Sequence, residues 1–425
     1  MRFRYLKTVL SVFSVVACAQ DASNLPKSQP PKTWFDVQTG HRIVRISDEP
    51  NSASLYFNGN AYTADGKGMV YSTPNGISVV DLSNFKTRSV VTGRVRIVNT
   101  GRKNQTVYYV KNDDHSLYVT NIETGATRRI GALPPRAGID TINADETLAA
   151  GAYVIGGGTD YGNTAGQQTH PLDQPANKGQ MMERTLAAHL PRVLYVVNLQ
   201  TGEQKIILHS TDWLNHLLFS PTDPTLLMYC HEGPWQKVDR IWTIRTDGTQ
   251  NTLIHKRTME MEIAGHEFWG QDGKTIWYDW QTPKGEDFWI AGYDVNTHQR
   301  TAYHMQRDEW SIHFNVSKDG SLFCGDGGDP GQVAHAPDGE WLYLFHPTLI
   351  KNTGVQDPNF VRAGVFHAEK LANMSKHHYH LEPNVSFTPD QKWVIFRSNM
   401  FGPTYVFAVE VAKTTDSADH ATAGR

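Results

Sequence analysis

The sequence is poor in cysteine, and its charges nearly cancel. It has 3 cysteines among 425 residues, and none belongs to a Cys-x-x-Cys pair, so a thiolate zinc site is not indicated. The 40 Lys and Arg residues against 43 Asp and Glu residues give a net charge of −3, which predicts no nucleic-acid partner. No segment has the periodicity of a long amphipathic helix, and no apolar run is long enough for a transmembrane span.

The N-terminus has the features of an export signal. A positively charged start precedes an apolar run over residues 9–17, and residues 15–18 (VVAC) resemble a bacterial lipobox, in which a lipid-modified cysteine becomes the first residue. Ordinary cleavage close to Cys18 is the alternative. We therefore predict a signal over residues 1–19 and an exported protein, either periplasmic or anchored in the membrane as a lipoprotein through Cys18.

The remaining chain divides by composition into a linker, one domain and a tail. Residues 20–33 are polar and rich in proline, as is typical of a tether, and residues 416–425 are predicted to be disordered. Residues 34–415 are predicted to form a single domain. The two cysteines within it, Cys230 and Cys324, either pair or remain as free buried thiols.

Turns rich in Asp, Asn and Gly recur along the domain, and most lead into a short hydrophobic strand. Short strands with such turns, at a period of about 40–50 residues, are typical of β-propeller blades. We predict an all-β fold, a seven-bladed β-propeller with inserted loops at residues 155–192, which include a helix over 181–188, and at residues 325–375. The turns lie at residues 64–67, 103–105, 144–146, 222–224, 271–274, 318–320 and 389–392.

Histidine is concentrated near these turns. His231 and His266 are each followed by glutamate, His313 lies just before a turn, and residues 377–380 (HHYH) contain three more. Neither His-Glu pair continues as the metalloprotease motif His-Glu-x-x-His. Because blade turns meet at the ends of a propeller channel, we expect these side chains to converge at one end of it.

The last cluster predicts a metal site. If residues 378–384 are extended, every second side chain points in the same direction. Imidazole, carboxylate and amide oxygen together suit a divalent ion such as Mn²⁺, Ca²⁺ or Zn²⁺. A surface or structural role for the histidines is the alternative. The predicted ligands are His313, His380, Glu382 and Asn384.

In this order, the motifs resemble those of the oligogalacturonate lyase family. The resemblance covers most of the chain after the signal and is clearest from about residue 190 onward. It implies a seven-bladed propeller that cleaves short uronate chains by β-elimination. The matching strings are HEGP from His231, VDRIW at 238–242, HEFW from His266, His313 ahead of DGSL at 319–322, GDG at 325–327 and SFTPD at 386–390.

Such an elimination needs a base for the C5 proton and a positive group for the neighbouring carboxylate. A neutral histidine suits the first role and an arginine fork suits the second. The resemblance implies His266 as the base and Arg240 as the carboxylate contact, and an ordinary ion pair is the alternative for Arg240. His231 and Trp269 are predicted to contact the acidic oligosaccharide.

The metal positions depart from the family pattern of three histidines and one glutamine. His313 matches one histidine, whereas Tyr379, Glu382 and Asn384 stand at the other three positions. The ion, and the uronate that is cleaved, are therefore open at this point. A glucuronate-containing glycan is an alternative substrate.

Two other functions compete with a lyase. A glycoside hydrolase needs two carboxylates at a defined separation, for which Glu232, Glu267 and Asp326 are candidates. A carbohydrate-binding or scaffold propeller needs no catalytic group and would tolerate the altered metal positions.

Overall fold

The computed structural model describes the chain in five stretches, and the fold below is that of the unit Lys32–Arg425. The predicted signal, with Cys18, and the predicted tail at residues 416–425 lie outside the described part. The second compact unit, Met1–Pro31, is described only from residue 29. The described residues are 29–157, 177–332, 336–354, 357 and 359–413.

The strands follow one another as small antiparallel sheets, because short turns connect neighbouring strands. The chain begins with β1 (Thr33–Phe35) and β2 (Arg42–Arg45). A three-stranded sheet contains β3 (Gly68–Thr73), β4 (Gly76–Asp81) and β5 (Thr87–Thr92). The next sheet contains β6 (Val95–Thr100), β7 (Thr106–Lys111), β8 (Ser116–Asn121) and β9 (Thr127–Ala132).

Two further sheets have four strands each. One contains β10 (Thr141–Ile142), β11 (Leu148–Val154), β12 (Arg192–Asn198) and β13 (Gln204–Ser210). The other contains β14 (Trp213–Phe219), β15 (Leu226–Glu232), β16 (Ile241–Arg245) and β17 (Thr252–Leu253).

The next eight strands form one sheet, in which a parallel pairing joins two antiparallel groups of four. The first group contains β18 (Ile263–Trp269), β19 (Thr275–Gln281), β20 (Phe288–Asp294) and β21 (Arg300–Met305). The second group contains β22 (Phe314–Val316), β23 (Phe323–Gly325), β24 (Trp341–Leu349) and β25 (Val361–Asn373). The parallel pair is β21 with β25.

The first and last strands of the domain close the series. The final sheet has the order β1, β2, β28 (Tyr405–Glu410), β27 (Trp393–Ser398) and β26 (Ser386–Phe387). Ile43 pairs with Val409 across β2 and β28. One buried apolar cluster joins this sheet to the next, with Met69 and Tyr71 of β3 packed against Ile395 of β27. A succession of sheets closed in this way is the arrangement of a β-propeller.

The prediction of an all-β fold is confirmed. The predicted number of seven blades is not confirmed, because the strands of the described part form six hydrogen-bonded sheets. The predicted turns have the expected chemistry: Gly66 and Gly320 have φ values of 70° and 73°, which glycine adopts without steric cost. The carboxylates of Asp65 and Asp319 each accept a backbone N–H two residues further on, at 3.0 Å.

The two predicted insertions turn out differently. The helix expected over residues 181–188 is confirmed as α1 (Lys178–Ala188), capped by the side chain of Asn177. The loop predicted over residues 325–375 is wrong over most of its length, because β24 and β25 pair there as a long hairpin.

Two further expectations concern the cysteines and the membrane. Cys230 and Cys324 are both free and buried, so of the two alternatives the structure shows the free thiols. In the part of the chain that the structure describes, no helix is both long and apolar enough to cross a membrane.

Candidate functional site

Two histidines of the site lie in equivalent bulges of neighbouring sheets. β14 shifts register against β15 between Asn215 and Leu218, and β18 shifts against β19 between Gly265 and Phe268. Inside these shifts His216 and His266 have φ values of 47° and 50°, in the left-handed region that non-glycine residues seldom adopt. A bulge changes the direction of a side chain, and bulges are frequent beside active sites.

His266 is enclosed by aromatic rings. Its ring centroid lies 4.6 Å from that of Trp235 and 4.9 Å from that of His313. Only 13% of the side chain is exposed, so a ligand reaches it only at one edge. Burial, followed by the electrostatic influence of His313 and the charge of Arg240, holds the pKa of His266 well below its usual range. The imidazole is therefore neutral near pH 7 and keeps a lone pair for a proton.

His313 is held rigidly behind His266. Its Nδ1 lies 2.8 Å from Oδ2 of Asp326, and its Nε2 lies 3.0 Å from the hydroxyl of Tyr56. The ring also stacks on Phe57 at 4.5 Å. Since both His313 and Asp326 are fully buried, the carboxylate fixes the proton on Nδ1 and leaves the Nε2 lone pair facing Tyr56.

Arg240 belongs to a second charged group. Its Nη1 lies 2.5 Å from Oε1 of Glu232, and its guanidinium lies over the ring of Trp235 at 4.5 Å. The alternative proposed for Arg240, an ion pair, is therefore what the structure shows. Its Nε makes no hydrogen bond to any described residue. One buried donor of the guanidinium is thus left unsatisfied by the described residues.

His216 completes this group from the other side of the carboxylate. Its Nε2 lies 3.3 Å from Oε2 of Glu232. Burial by itself lowers the pKa of His216, but the bond to Glu232 and the charge of Glu267 raise it overall. Burial raises the pKa of Glu232, and the charge of Arg240 reverses this and holds it far below its usual range. Glu232 is therefore an anion and cannot act as a proton donor.

The predicted metal ligands are only partly brought together. Nε2 of His313 lies 3.9 Å from Oε2 of Glu382, whose side chain is 38% exposed. A histidine whose other nitrogen is held by a buried carboxylate is the usual support for a metal ligand. No group of three or more His, Cys, Asp or Glu side chains in the described ranges is placed to hold an ion. His313 and Glu382 therefore fit an open site, in which water or a ligand supplies the other donors.

The other predicted ligand positions have different partners. Oδ1 of Asn384 accepts the backbone N–H of Phe57 at 3.2 Å, and the hydroxyl of Tyr379 donates to the carbonyl of Asp326 at 2.9 Å. His380 is exposed, and its ring stacks on that of His378 at 6.2 Å. Ligation by Asn384 and His380 stays a prediction.

The extended conformation predicted for residues 378–384 is wrong. The segment contains turns, and Asn384 has a φ of 56°. The cause is His377, which is buried and bonds Ser398 through Nδ1 at 2.9 Å and the carbonyl of Leu381 through Nε2 at 2.7 Å. This second bond folds the chain back on itself, so the alternation of a strand is lost.

A cavity of about 630 Å³ opens beside the cluster. Its lining includes Tyr56, His216 and Glu382, together with Lys178 at the first turn of α1. A larger cavity, of about 1040 Å³, is lined by turn residues and contains none of the predicted site residues. Glu382 is the predicted site residue in the lining of the smaller cavity, and Tyr56, another lining residue, lies 3.0 Å from Nε2 of His313, so this cavity borders the predicted metal site.

Two predicted substrate contacts have different outcomes. Trp269 is a core residue whose indole N–H donates to the carbonyl of Leu218 at 3.1 Å, so the predicted sugar contact is wrong. It lies beyond the bulge of β18, where the strand returns to the core. Nε2 of His231 lies 3.2 Å from Oδ1 of Asp212, and its contact with substrate stays a prediction.

The carboxylates considered for a hydrolase are unsuited to it. Glu232 and Asp326 are each committed to a buried basic side chain, Arg240 and His313. Glu267 is also buried, at 1% exposure. A hydrolase needs one carboxylate that activates water and another that donates a proton, and neither committed pair leaves such a group.

Sequence reasoning missed Tyr56, His216 and Asp279. For His216 a signal exists, because LNHLLF at 214–219 and AGHEFW at 264–269 place a histidine at the same point of two first strands. Tyr56 lies in a segment without strand or motif, and Asp279 lies inside the aromatic strand β19. Neither has a local pattern that reveals its position.

The propeller carries a buried cluster of imidazoles, an arginine and carboxylates beside an open cavity, and several of these groups have shifted pKa values, which is typical of an enzyme site. The family model of oligogalacturonate lyases matches residues 28–415, and the chain therefore belongs to the oligogalacturonate lyase family. It is a lyase, as the motifs predicted.

Relatives and solved structures agree with this family. The chain is 26% identical to the oligogalacturonide lyase of Pectobacterium atrosepticum over 402 residues, 91% of this chain and 96% of the relative. It is 25% identical to the oligogalacturonate lyase of Dickeya dadantii over 400 residues, with the same coverage of 91% and 96%.

Two solved structures share the fold. One is an oligogalacturonate lyase in complex with manganese, with a TM-score of 0.69 and 23% identity over 90% of this chain and 96% of that chain. The other is an oligogalacturonate lyase from Vibrio parahaemolyticus, with a TM-score of 0.71, 23% identity and the same coverage, 90% and 96%.

Proposed function

We propose that this lyase cleaves short galacturonate chains by β-elimination, with His266 as the base. The observation that carries the proposal is the environment of His266, a neutral imidazole with one exposed edge beside a basic cluster. The names of the relatives support galacturonate as the substrate, and Lys178 and Arg240 supply positive charge for its carboxylates.

In the proposed step, the proton on C5 of the uronate moves to His266. The C5–H electron pair forms the C4–C5 double bond, the C4–O4 bond breaks, and the leaving oxygen takes up a proton. Removal of the C5 proton needs stabilisation of the neighbouring carboxylate as negative charge develops. Nε–H of Arg240, which the protein leaves without a partner in the described part, is the donor that we assign to this carboxylate.

A divalent ion, Mn²⁺ by analogy with the solved complex, would be held by His313 and Glu382. When bound, it would neutralise the substrate carboxylate as a Lewis acid. Around it, Asp326 keeps the imidazole of His313 in the tautomer with an unprotonated Nε2, which the hydroxyl of Tyr56 faces at 3.0 Å. Arg397 donates to the carbonyl of Glu382 at 2.8 Å and so fixes the backbone of this flexible side chain.

The assay follows the absorbance of the unsaturated product from defined galacturonate and glucuronate oligosaccharides. We expect product from the galacturonate series, and we expect His266→Ala to lower turnover by about 10²- to 10⁴-fold, the usual contribution of a general base. His209→Ala is the control, because His209 is exposed on β13. Full activity of the His266→Ala variant would show that His266 is not the base.

Chelation tests the ion separately. We expect dialysis against a chelator to lower activity at least tenfold and added Mn²⁺ to restore it, because the substrate carboxylate loses its counter-charge. Glu382→Gln should weaken the restoration, so that more Mn²⁺ is needed for half of the effect. If elemental analysis finds no bound metal and chelation leaves the activity unchanged, the proposed ion is refuted.

We also propose that the protein acts outside the cytoplasm, in the periplasm or as a lipoprotein. The support is the charged and apolar start of the sequence and the cysteine at position 18. Mass spectrometry of the mature N-terminus separates the two forms, since lipidation adds a diacylglyceryl group to Cys18.

A further inference from the structure

Two neighbouring buried side chains, His266 and Asp279, each have a polar atom without a hydrogen bond. Nδ1 of His266 makes no hydrogen bond to the described part of the chain, and neither does Oδ1 of Asp279. The other carboxylate oxygen, Oδ2 of Asp279, lies 4.0 Å from the same Nδ1 and accepts a bond from Gln281 at 3.1 Å. Asp279 is fully buried.

Such a pair is unusual, because an unsatisfied buried polar atom costs about 1–3 kcal/mol. Native proteins leave few of these atoms, and those that remain call for a reason. A hydrogen bond between nitrogen and oxygen is about 2.7–3.2 Å long, so an approach of roughly 1 Å would satisfy the nitrogen of His266.

The position of Asp279 in its strand is unusual as well. It is the one acidic residue of β19, whose sequence is TIWYDWQ. In the register of β18 and β19 it is opposite Gly265, the residue immediately before His266. A carboxylate in this place is costly to bury. Its side chain lies near Gln281 and Trp310, and it also approaches His266.

We infer that Asp279 is the positioning residue of His266: its carboxylate accepts a hydrogen bond from Nδ1–H of His266 when substrate is bound. This inference rests on the proposed function. With the proton fixed on Nδ1, the lone pair of His266 is on Nε2, where the C5 proton arrives. Burial raises the pKa of Asp279 to about 7. After that transfer His266 is a cation, whose charge favours the ionised form of Asp279, and the carboxylate offsets this charge without taking up the proton.

The test compares wild type with Asp279→Asn, which keeps the size of the side chain and removes its charge. We expect kcat to fall on the order of 10²-fold while KM changes less than about threefold, because the contact acts on the base and not on substrate binding. Asp279→Glu should recover part of the loss. A merely structural role predicts instead that kcat stays close to wild type in the folded variant.

Glu262→Gln is the matched control. Glu262 is also a buried carboxylate bonded to a histidine, with Oε1 at 2.8 Å from Nε2 of His255, but neither belongs to the cavity beside the cluster. We expect its kcat to equal that of wild type. An equal loss in both variants would mean that removing any buried charge disturbs the enzyme, and the inference would fall.

A second measurement remains valid if Asp279→Asn does not fold. The nitrogen resonances of ¹⁵N-histidine-labelled wild type with bound product show which ring nitrogen of His266 carries the proton, with the signals assigned by their loss in His266→Ala. The inference expects the proton on Nδ1, and a proton on Nε2 overturns it. If wild type forms no unsaturated product, the proposed function fails, whereas normal turnover with an unaffected Asn variant refutes only the role of Asp279.

Discussion

His216, His266 and His313 are neighbours, yet each has a different environment. His216 faces the anion Glu232, and the bond to this anion raises the pKa of His216 against the effect of burial. His313 is hydrogen-bonded to Asp326 at 2.8 Å. His266 has no hydrogen bond on Nδ1 within the described structure, and its pKa is lowered by burial, by His313 and by the charge of Arg240. At the scale of single residues, the site thus leaves one imidazole neutral and reactive.

Glu262 shows how the same chemistry stabilises the fold away from the site. Its carboxylate accepts bonds from His255, from the indole of Trp280 at 2.8 Å and from the backbone N–H of Met259 at 3.0 Å. Burial raises the pKa of Glu262, and these bonds more than reverse this and lower it from 4.5 to about 2. The stabilisation is therefore present above pH 4.5 and is lost as the pH falls toward 2.

We expect Glu262→Gln to lower the free energy of unfolding by about 2–3 kcal/mol at pH 7, and by less at pH 3.5, where wild type has lost part of this contribution. Urea unfolding at both pH values measures it. Glu183→Gln is the control, because the pair of Glu183 with Lys237 is about half exposed and contributes little. An equal loss of stability at both pH values would contradict the assignment of this contribution to the ionised carboxylate of Glu262.

At the scale of elements, the bulges decide which residues reach the site. Gly265 precedes His266 in β18 and leaves room for the ring of Trp235, since an added Cβ would meet Cζ3 of that ring at 2.9 Å. Trp235 in turn lies between His266 and the guanidinium of Arg240. The glycine therefore lets one indole ring contact both His266, the proposed base, and Arg240.

Gly265→Ala should displace Trp235, because the indole ring is rigid and cannot bend away from the added Cβ. We expect kcat/KM to fall about tenfold or more, with a loss of stability of about 1–3 kcal/mol from overpacking. Steady-state kinetics and thermal unfolding measure the two effects. Gly131→Ala is the control, since its Cβ would meet only Gly202, at 3.6 Å. Unchanged kinetics of the Gly265 variant would show that the ring has no part in the reaction.

At the scale of the whole molecule, closure of the sheets assembles residues that are distant in sequence. Tyr56, His313 and Glu382 come from three separate parts of the chain, and they meet because strands β1 and β2 pair with β28. Each sheet alone exposes an apolar face, so neighbouring sheets must pack for any of them to be stable. Site and fold therefore form together.

Several features of the protein follow from the sequence alone. The turns rich in Asp and Gly, with short alternating strands between them, are local patterns, and they correctly predict an all-β fold. The order of the histidine motifs identifies the family, because these strings depend on residue identity and spacing only. The helix predicted over residues 181–188 is likewise confirmed, and it begins three residues earlier, at Lys178.

Other features depended on tertiary contacts. The bond of His377 to Leu381 folds the segment that was predicted to be extended, and the bulge of β18 returns Trp269 to the core. The approach of Asp279 to His266 depends on register between two strands, and that of Tyr56 to His313 spans 257 positions. Local propensity cannot specify such contacts, because they exist only after packing has chosen among many backbone paths of similar intrinsic energy.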